Sequence, residues 1–147
     1  MGSAALLLAS FCLHAQDVPG GWKVVKDGKG VCQFAVPADW VSDKFSKSFM
    51  MPADGKASAV ANGIRPGQSF AVATSMAKQL MKPVKTIEDS GKRVWYTYET
   101  SGGMQQGKTQ WYVAVAGNPV CTAQIDFKVP AMEETAKKIA LSLTQAK

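Results

Sequence analysis

The chain has 147 residues, 46% hydrophobic and 19% charged, with a formal net charge of +6 at pH 7. These are ordinary globular values, and the length fits one domain with a core of its own. Fifteen of the 17 basic residues are Lys, scattered with no run of four, so no nucleic acid is expected; the charge admits an envelope protein or an anionic surface as partner.

The chain opens MGSAALLLASFCLHAQ. Ala4 to Leu13 is apolar and uncharged, and Leu13-His14-Ala15 resembles a small-residue cleavage site with the cut before Gln16. Residues 1–15 are read as a signal peptide, against the competing reading of a disordered tail, and 16–147 as a single domain. The run is far short of the ~20 residues a spanning helix needs, so no transmembrane anchor is expected. Cys12 follows Ser-Phe and does not look like a lipoprotein site. The expected location is periplasmic or secreted.

Trp22 to Val25 reads as a short strand, followed by the turn Lys26-Asp27-Gly28-Lys29-Gly30. Val31 to Val36 is a second strand, stopped by Pro37. Ala38 to Met51 reads as irregular, Pro52-Ala53-Asp54-Gly55 as a turn, and Lys56 to Asn62 as a strand among small residues. Gln68 to Lys82 is the first helix, capped by Ser69 and stopped by Pro83. Its stripe is Phe70, Ala73, Ala77 and Leu80, with Val72, Met76 and Met81 beside it. Lys78 and Lys82 share the opposite face, read as solvated rather than as a basic stripe.

After Pro83 the period becomes two. Val84 to Asp89, Lys92 to Ser101, Gly107 to Ala116 and Pro119 to Lys128 read as four strands. Their short connections imply antiparallel neighbours. Pro130 opens a last helix to about Gln145, with Met132, Ala136, Ile139 and Leu143 as its seam. Glu133 and Glu134 precede Lys137 and Lys138 by four residues. Both faces of the central strands are apolar enough to be covered. The expected architecture is α+β, an antiparallel sheet covered by helices in an α/β/α sandwich.

Strand parity places Cys121 with Ala123, Ile125 and Phe127, and Cys32 with Phe34 and Val36. Both thiols therefore point toward packed surfaces. Two cysteines in an exported domain allow one pair, and a Cys32–Cys121 disulfide is the expectation; two buried free thiols are the competing reading. Neither cysteine belongs to a Cys-x-x-Cys motif, and a zinc site would want about four ligands.

Loss of His14 with the leader removes histidine, and with it Ser–His and Cys–His nucleophile pairs. Asp39 with Asp43, Glu88 with Asp89, and Asp126 are the remaining carboxylate candidates; each reads better as turn or surface polarity. The Gly102-Gly103-Met104-Gln105-Gln106-Gly107 stretch lacks the Lys-Ser/Thr of a phosphate loop. Met50-Met51 reads as hydrophobic filling. No catalytic residue, metal ligand or cofactor site is expected. Trp40, Trp95 and Trp111 are the candidate binding aromatics, with core packing as their competing role.

The segment Val36-Pro37-Ala38-Asp39-Trp40 ends an early strand as a Pro-x-x-Trp element does in PsbP-like and DcrB-like domains. A middle helix, a run of antiparallel strands and a final helix carrying Ile139-Ala140-Leu141-Ser142-Leu143 complete the resemblance over residues 22–145. It implies an α/β/α sandwich and a non-enzymatic accessory or binding role, with no functional residue carried over. The leading expectation is thus an exported, non-enzymatic binding or accessory domain. The alternatives are a small carboxylate-dependent envelope enzyme and a structural or inhibitory interaction domain.

Overall fold

A computed structural model describes residues 18–98, 107–128 and 130–147. The expected leader over 1–15 and the Gly102-Gly103-Met104 connection lie outside the described residues. The chain begins with the hairpin β1 (Trp22–Lys26) and β2 (Cys32–Pro37). It continues through β3 (Val41–Ser42), β4 (Phe49–Met51), β5 (Ala57–Gly63) and helix α1 (Phe70–Met81). Strands β6 (Pro83–Asp89), β7 (Arg93–Tyr98), β8 (Thr109–Val115) and β9 (Cys121–Phe127) follow, then α2 (Glu133–Ser142) and β10 (Thr144–Gln145).

The strands form two antiparallel sheets. Seven run in the order β3-β4-β5-β9-β8-β7-β6, and three in the order β1-β2-β10. The expected α+β architecture holds, with α1 on one face of the large sheet and α2 with the small sheet on the other. Three local expectations are corrected. The stretch expected to be irregular, 38–51, contains β3 and β4, which extend the large sheet beyond β5. The last helix ends at Ser142, because Leu143 turns extended and Thr144 and Gln145 pair with β2. The pair on α2 is Glu134–Lys137 at 3.2 Å, three residues apart rather than four.

Helix α1 starts as the sequence predicts, with the Ser69 hydroxyl accepting the Val72 N–H. Its end is a left-handed Lys82 (φ 51°) just before Pro83. Phe70, Ala77 and Met81 pack on Val94, Tyr96, Tyr112 and Ala114 of β7 and β8. Leu80 does not join this stripe: it is 80% exposed. It sits in the last turn, where the chain leaves the helix for the edge strand β6. Lys78 donates to Asp89 at 2.7 Å, so the lysine face is partly ion-paired.

The larger core lies on the opposite face. Cys121, Ala123, Ile125 and Phe127 of β9 pair with Val115, Val113, Trp111 and Thr109 of β8, and with Gly63, Ala61, Ala59 and Ala57 of β5. Phe34 and Val36 of β2 and Ala136, Ile139, Ala140 and Leu143 from the α2 segment close over that floor. The disulfide Cys32–Cys121 is formed, with Cα atoms 5.6 Å apart and both residues fully buried. It joins the small sheet to the large one across 89 residues of sequence.

Asp27 completes the same junction. Its Oδ1 accepts the N–H of Val31 at 2.8 Å and of Cys32 at 2.9 Å, and its Oδ2 accepts the N–H of Gly63 at 3.3 Å. One carboxylate thereby bonds both the β1–β2 turn and the end of β5. Burial alone pushes this carboxyl up. The N–H bonds from Cys32, Val31, Lys29 and Gly63 outweigh it and hold it below its ordinary value.

A depressed folded-state value means that the ionised carboxylate adds stability above the unfolded carboxyl's titration, and that this contribution disappears as pH falls through the folded value. Asp27→Asn also turns a donor toward the Gly63 or Cys32 N–H. The variant is expected to lose about 1–3 kcal/mol at neutral pH. The deficit should narrow in acid below about pH 4, where the wild-type carboxyl begins to protonate in the unfolded chain. Urea titrations at the two pH values measure it; an equal deficit at both would assign the loss to packing instead.

Candidate functional site

The layer that covers the large core is fastened at one side of the sheet. Helix α2 packs on β2 and β9, and β2 packs on β5 and β9. The floor continues past that layer, because β7 and β6 lie beyond β8 in the sheet. Beyond α2 the apolar face opens into a cleft of about 670 Å³.

Parity decides the floor. Trp95 and Thr97 of β7 share a face with Trp111 and Thr109 of β8, since Trp95 pairs with Val113 and Thr97 with Trp111. All four line the cleft, together with Phe127 of β9. Trp95 and Trp111 meet edge to face at 4.8 Å, and Trp111 meets Phe127 at 4.5 Å. The near wall is the first part of α2, through Glu133 and Lys137. The far wall is Val84, Lys85, Thr86 and Ile87 of β6. Four consecutive residues of a regular strand cannot share a face. The register of β6 against β7 shifts between Pro83 and Lys85 and again between Thr86 and Glu88, so the strand turns as it crosses the cleft.

The cleft floor holds one unmet polar group. Trp95 is only 4% exposed, and its indole N–H has no hydrogen-bond partner among the described residues. Two residues back on the same face, Arg93 Nε is also buried without an acceptor, although Arg93 faces Glu88 at 3.7 Å through its Nη1. Buried donors of this kind are uncommon in folded proteins.

A second polar cluster lies on the opposite sheet face. Gln110 Nε2 donates to Asp126 Oδ1 at 3.0 Å, and β5 brings Ser58 opposite Asp126. Gln110 Oε1 is buried without a donor among the described residues. Burial raises the Asp126 carboxyl more than Gln110, Lys108 and Ser58 lower it. Burial also raises the neighbouring phenols: Tyr98, which additionally faces the Asp126 charge, is pushed up to about 12, and Tyr112 likewise to about 12.

Of the three candidate aromatics, the fold brings Trp95 and Trp111 together in the cleft and leaves Trp40 apart. Trp40 is buried in the main core, its backbone N–H donating to the Pro37 carbonyl and its own carbonyl accepting from Lys23 Nζ. Trp95 and Trp111 are each 4% exposed, so little of either ring is open to the cleft. Asp39 is exposed, and three other carboxylates are occupied locally. Asp43 accepts the Phe45 N–H, Glu88 faces Arg93, and Asp89 pairs with Lys78. No cluster of three metal-ligating side chains occurs among the described residues. No helix of the described residues is long and apolar enough to cross a membrane. Sequence reasoning missed the β6 wall and the α2 residues. Thr97 and Thr109 were readable, because they alternate with the tryptophans; β6 was not, because bulges break the alternation.

No protein-family model and no curated protein sequence matches the chain. Among solved structures, the fold resembles cyanobacterial PsbP (CyanoP) from Synechocystis sp. PCC 6803, with a TM-score of 0.55 and 12% identity. That match covers 99% of this chain and 98% of the other. A protein from Bacteroides thetaiotaomicron VPI-5482 matches at TM-score 0.46 and 10% identity, over 89% of this chain and 44% of its own. The fold is therefore PsbP-like, as the order of elements suggested.

Asp126 carries a test of the second cluster. Its raised folded-state value means that the ionised carboxylate costs stability at neutral pH, and that the cost vanishes below the unfolded carboxyl's titration. Asp126→Asn removes the charge and offers an amide N–H to Gln110 Oε1. The variant is expected to be more stable by about 1 kcal/mol at pH 7 and to match the wild type near pH 3. Thermal melts at both values decide it, and a destabilised variant at pH 7 would contradict the reading.

Proposed function

We propose that this PsbP-like chain is an exported, non-enzymatic binding or accessory domain whose ligand enters the cleft between β6 and α2. The observation that carries the reading is a cleft of about 670 Å³ whose floor includes Trp95, with its unpartnered, buried indole N–H, Trp111 and Phe127. Sites of this size, apolar with a few placed polar groups, are the usual form of small-molecule pockets. Export is supported by the leader-like start and by a structural disulfide, which persists in oxidising compartments. The PsbP-like fold supports an accessory role at the level of architecture only.

The carboxylate-enzyme alternative wants two facing carboxylates in environments that separate their titrations. Among the described residues, Glu133 is the one carboxylate that lines this cleft. The interaction-domain alternative keeps one specific observation: Val72, Met76 and Leu80 follow one another at helical spacing on α1 and are all exposed.

Thr97→Trp should fill the cleft from its floor without touching the disulfide junction. Nile red, a neutral apolar dye, is expected to bind the wild type saturably at one site with enhanced fluorescence. The variant should bind it more than about tenfold more weakly, the scale set by overpacking a fitted site. Equal binding by a folded variant, shown by circular dichroism, would place the dye elsewhere and remove the cleft from the proposal.

A further inference from the structure

We propose that the cleft selects an amphiphile with a carboxylate head and an aliphatic tail; this rests on the cleft being the binding site. Three independent features converge on that chemistry. The first is the donor in the floor. A buried N–H without an acceptor is costly, and a ligand oxygen that accepts from it recovers that cost. Trp95 has no acceptor lone pair to offer in return, so the group it favours is an acceptor and not a donor.

The second feature is the charge of the walls. Among the described residues, Lys85 and Lys137 line the cleft against one carboxylate, Glu133. Lys137 is engaged by Glu134 at 3.2 Å, whereas Lys85 has no ion-pair partner among the described residues. The sheet register sets Lys85 opposite Thr97, which lies two residues from Trp95 on the same face of β7, a spacing of about 7 Å. Lys85 on the β6 wall and Trp95 in the floor thus belong to neighbouring strands that line one cleft. Glu133 on the α2 wall disfavours an anion there, which directs the head toward β6. An ionised acceptor gains more from such donors than a neutral one does.

The third feature is apolar surface on an edge strand. Val84 and Ile87 line the cleft and are 64% and 42% exposed. Edge strands usually carry charge and irregularity to prevent unwanted pairing. The two register shifts in β6 supply the irregularity. They disfavour an added peptide strand and leave the two aliphatic side chains to a partner that needs no backbone ladder. An aliphatic tail lying between them and the Trp111–Phe127 floor fits that surface. The broad ring faces that a sugar would stack on are not presented, since both tryptophans are almost fully buried.

The test uses the folded chain at neutral pH and three probes that differ only in the head: octanoate, octan-1-ol and octylamine. Proton–nitrogen NMR reports the Trp95 indole N–H, assigned with Trp95→Phe. Octanoate is expected to move that resonance downfield and to bind about tenfold more tightly than octan-1-ol, as a charge-assisted bond to a buried donor allows. Lys85→Ala, a change at an exposed residue, should erase most of that preference, and Lys85→Arg should keep it. Equal affinity for octanoate and octan-1-ol, or tighter binding of octylamine, would overturn the carboxylate preference while leaving the cleft as the site. If none of the three shifts the signals of Trp95, Thr97 or Thr109, the cleft reading itself fails.

Discussion

Everything in this fold depends on how closely β2 approaches the end of β5. At that point Gly63 has no room for a side chain: a Cβ would lie 2.5 Å from Val31 Cγ2 and 3.4 Å from Cys32 Sγ. The Gly63 N–H is held by Asp27, which also holds Val31 and Cys32, and Cys121 pairs with Gly63 in the sheet while bonding to Cys32. Ala57, Ala59 and Ala61 continue the same small-residue surface along β5. Small side chains there let a second layer sit close, and the disulfide and the carboxylate fix its position.

The cleft follows from that fastening. The covering layer is tied over β5, where the floor is alanine and glycine, and over Cys121 and Ala123 of β9. It does not extend over β7, where the floor rises to tryptophan. Large aromatic groups at the edge of a covered core bury most of their area against each other, as Trp95, Trp111 and Phe127 do. What they leave is a recess bounded by α2 on one side and by a twisted edge strand on the other. Its polar groups are set by strand parity and by the first turns of α2, so the site is built on regular elements and is preorganised.

Much of this was legible in the chain. The period-two segments after Pro83 are strands that the structure places within two residues of their expected ends, apart from the end of β7, which meets residues that are not described. Parity put Cys32 and Cys121 on apolar faces, and the pair is bonded. Ser69 announced the start of α1. What could not be read was of two kinds. Short strands such as β3 and β10 carry too few residues to show a period, and they exist because longer neighbours pair with them. Exposure also depends on what lies above a face: Leu80 belongs to the apolar stripe by spacing, yet no element of the described residues covers it. The cleft was half visible, since alternation joined Trp95 to Thr97, but the pairing that sets Lys85 opposite Thr97 is a tertiary fact.

Two layers are thus held together at one fastening, and the cleft floor is expected to stand without it. Native-state hydrogen exchange on Cys32→Ala/Cys121→Ala measures this directly. Loss of the bond across 89 residues should cost about 4–5 kcal/mol in the chain-entropy model, provided the variant still folds. Under conditions where it does, amides of β1, β2 and β10 are expected to exchange markedly faster relative to those of β7 and β8, which keep their ladder and the α1 contacts. Uniform acceleration through both sheets, with no difference between the layers, would contradict the account.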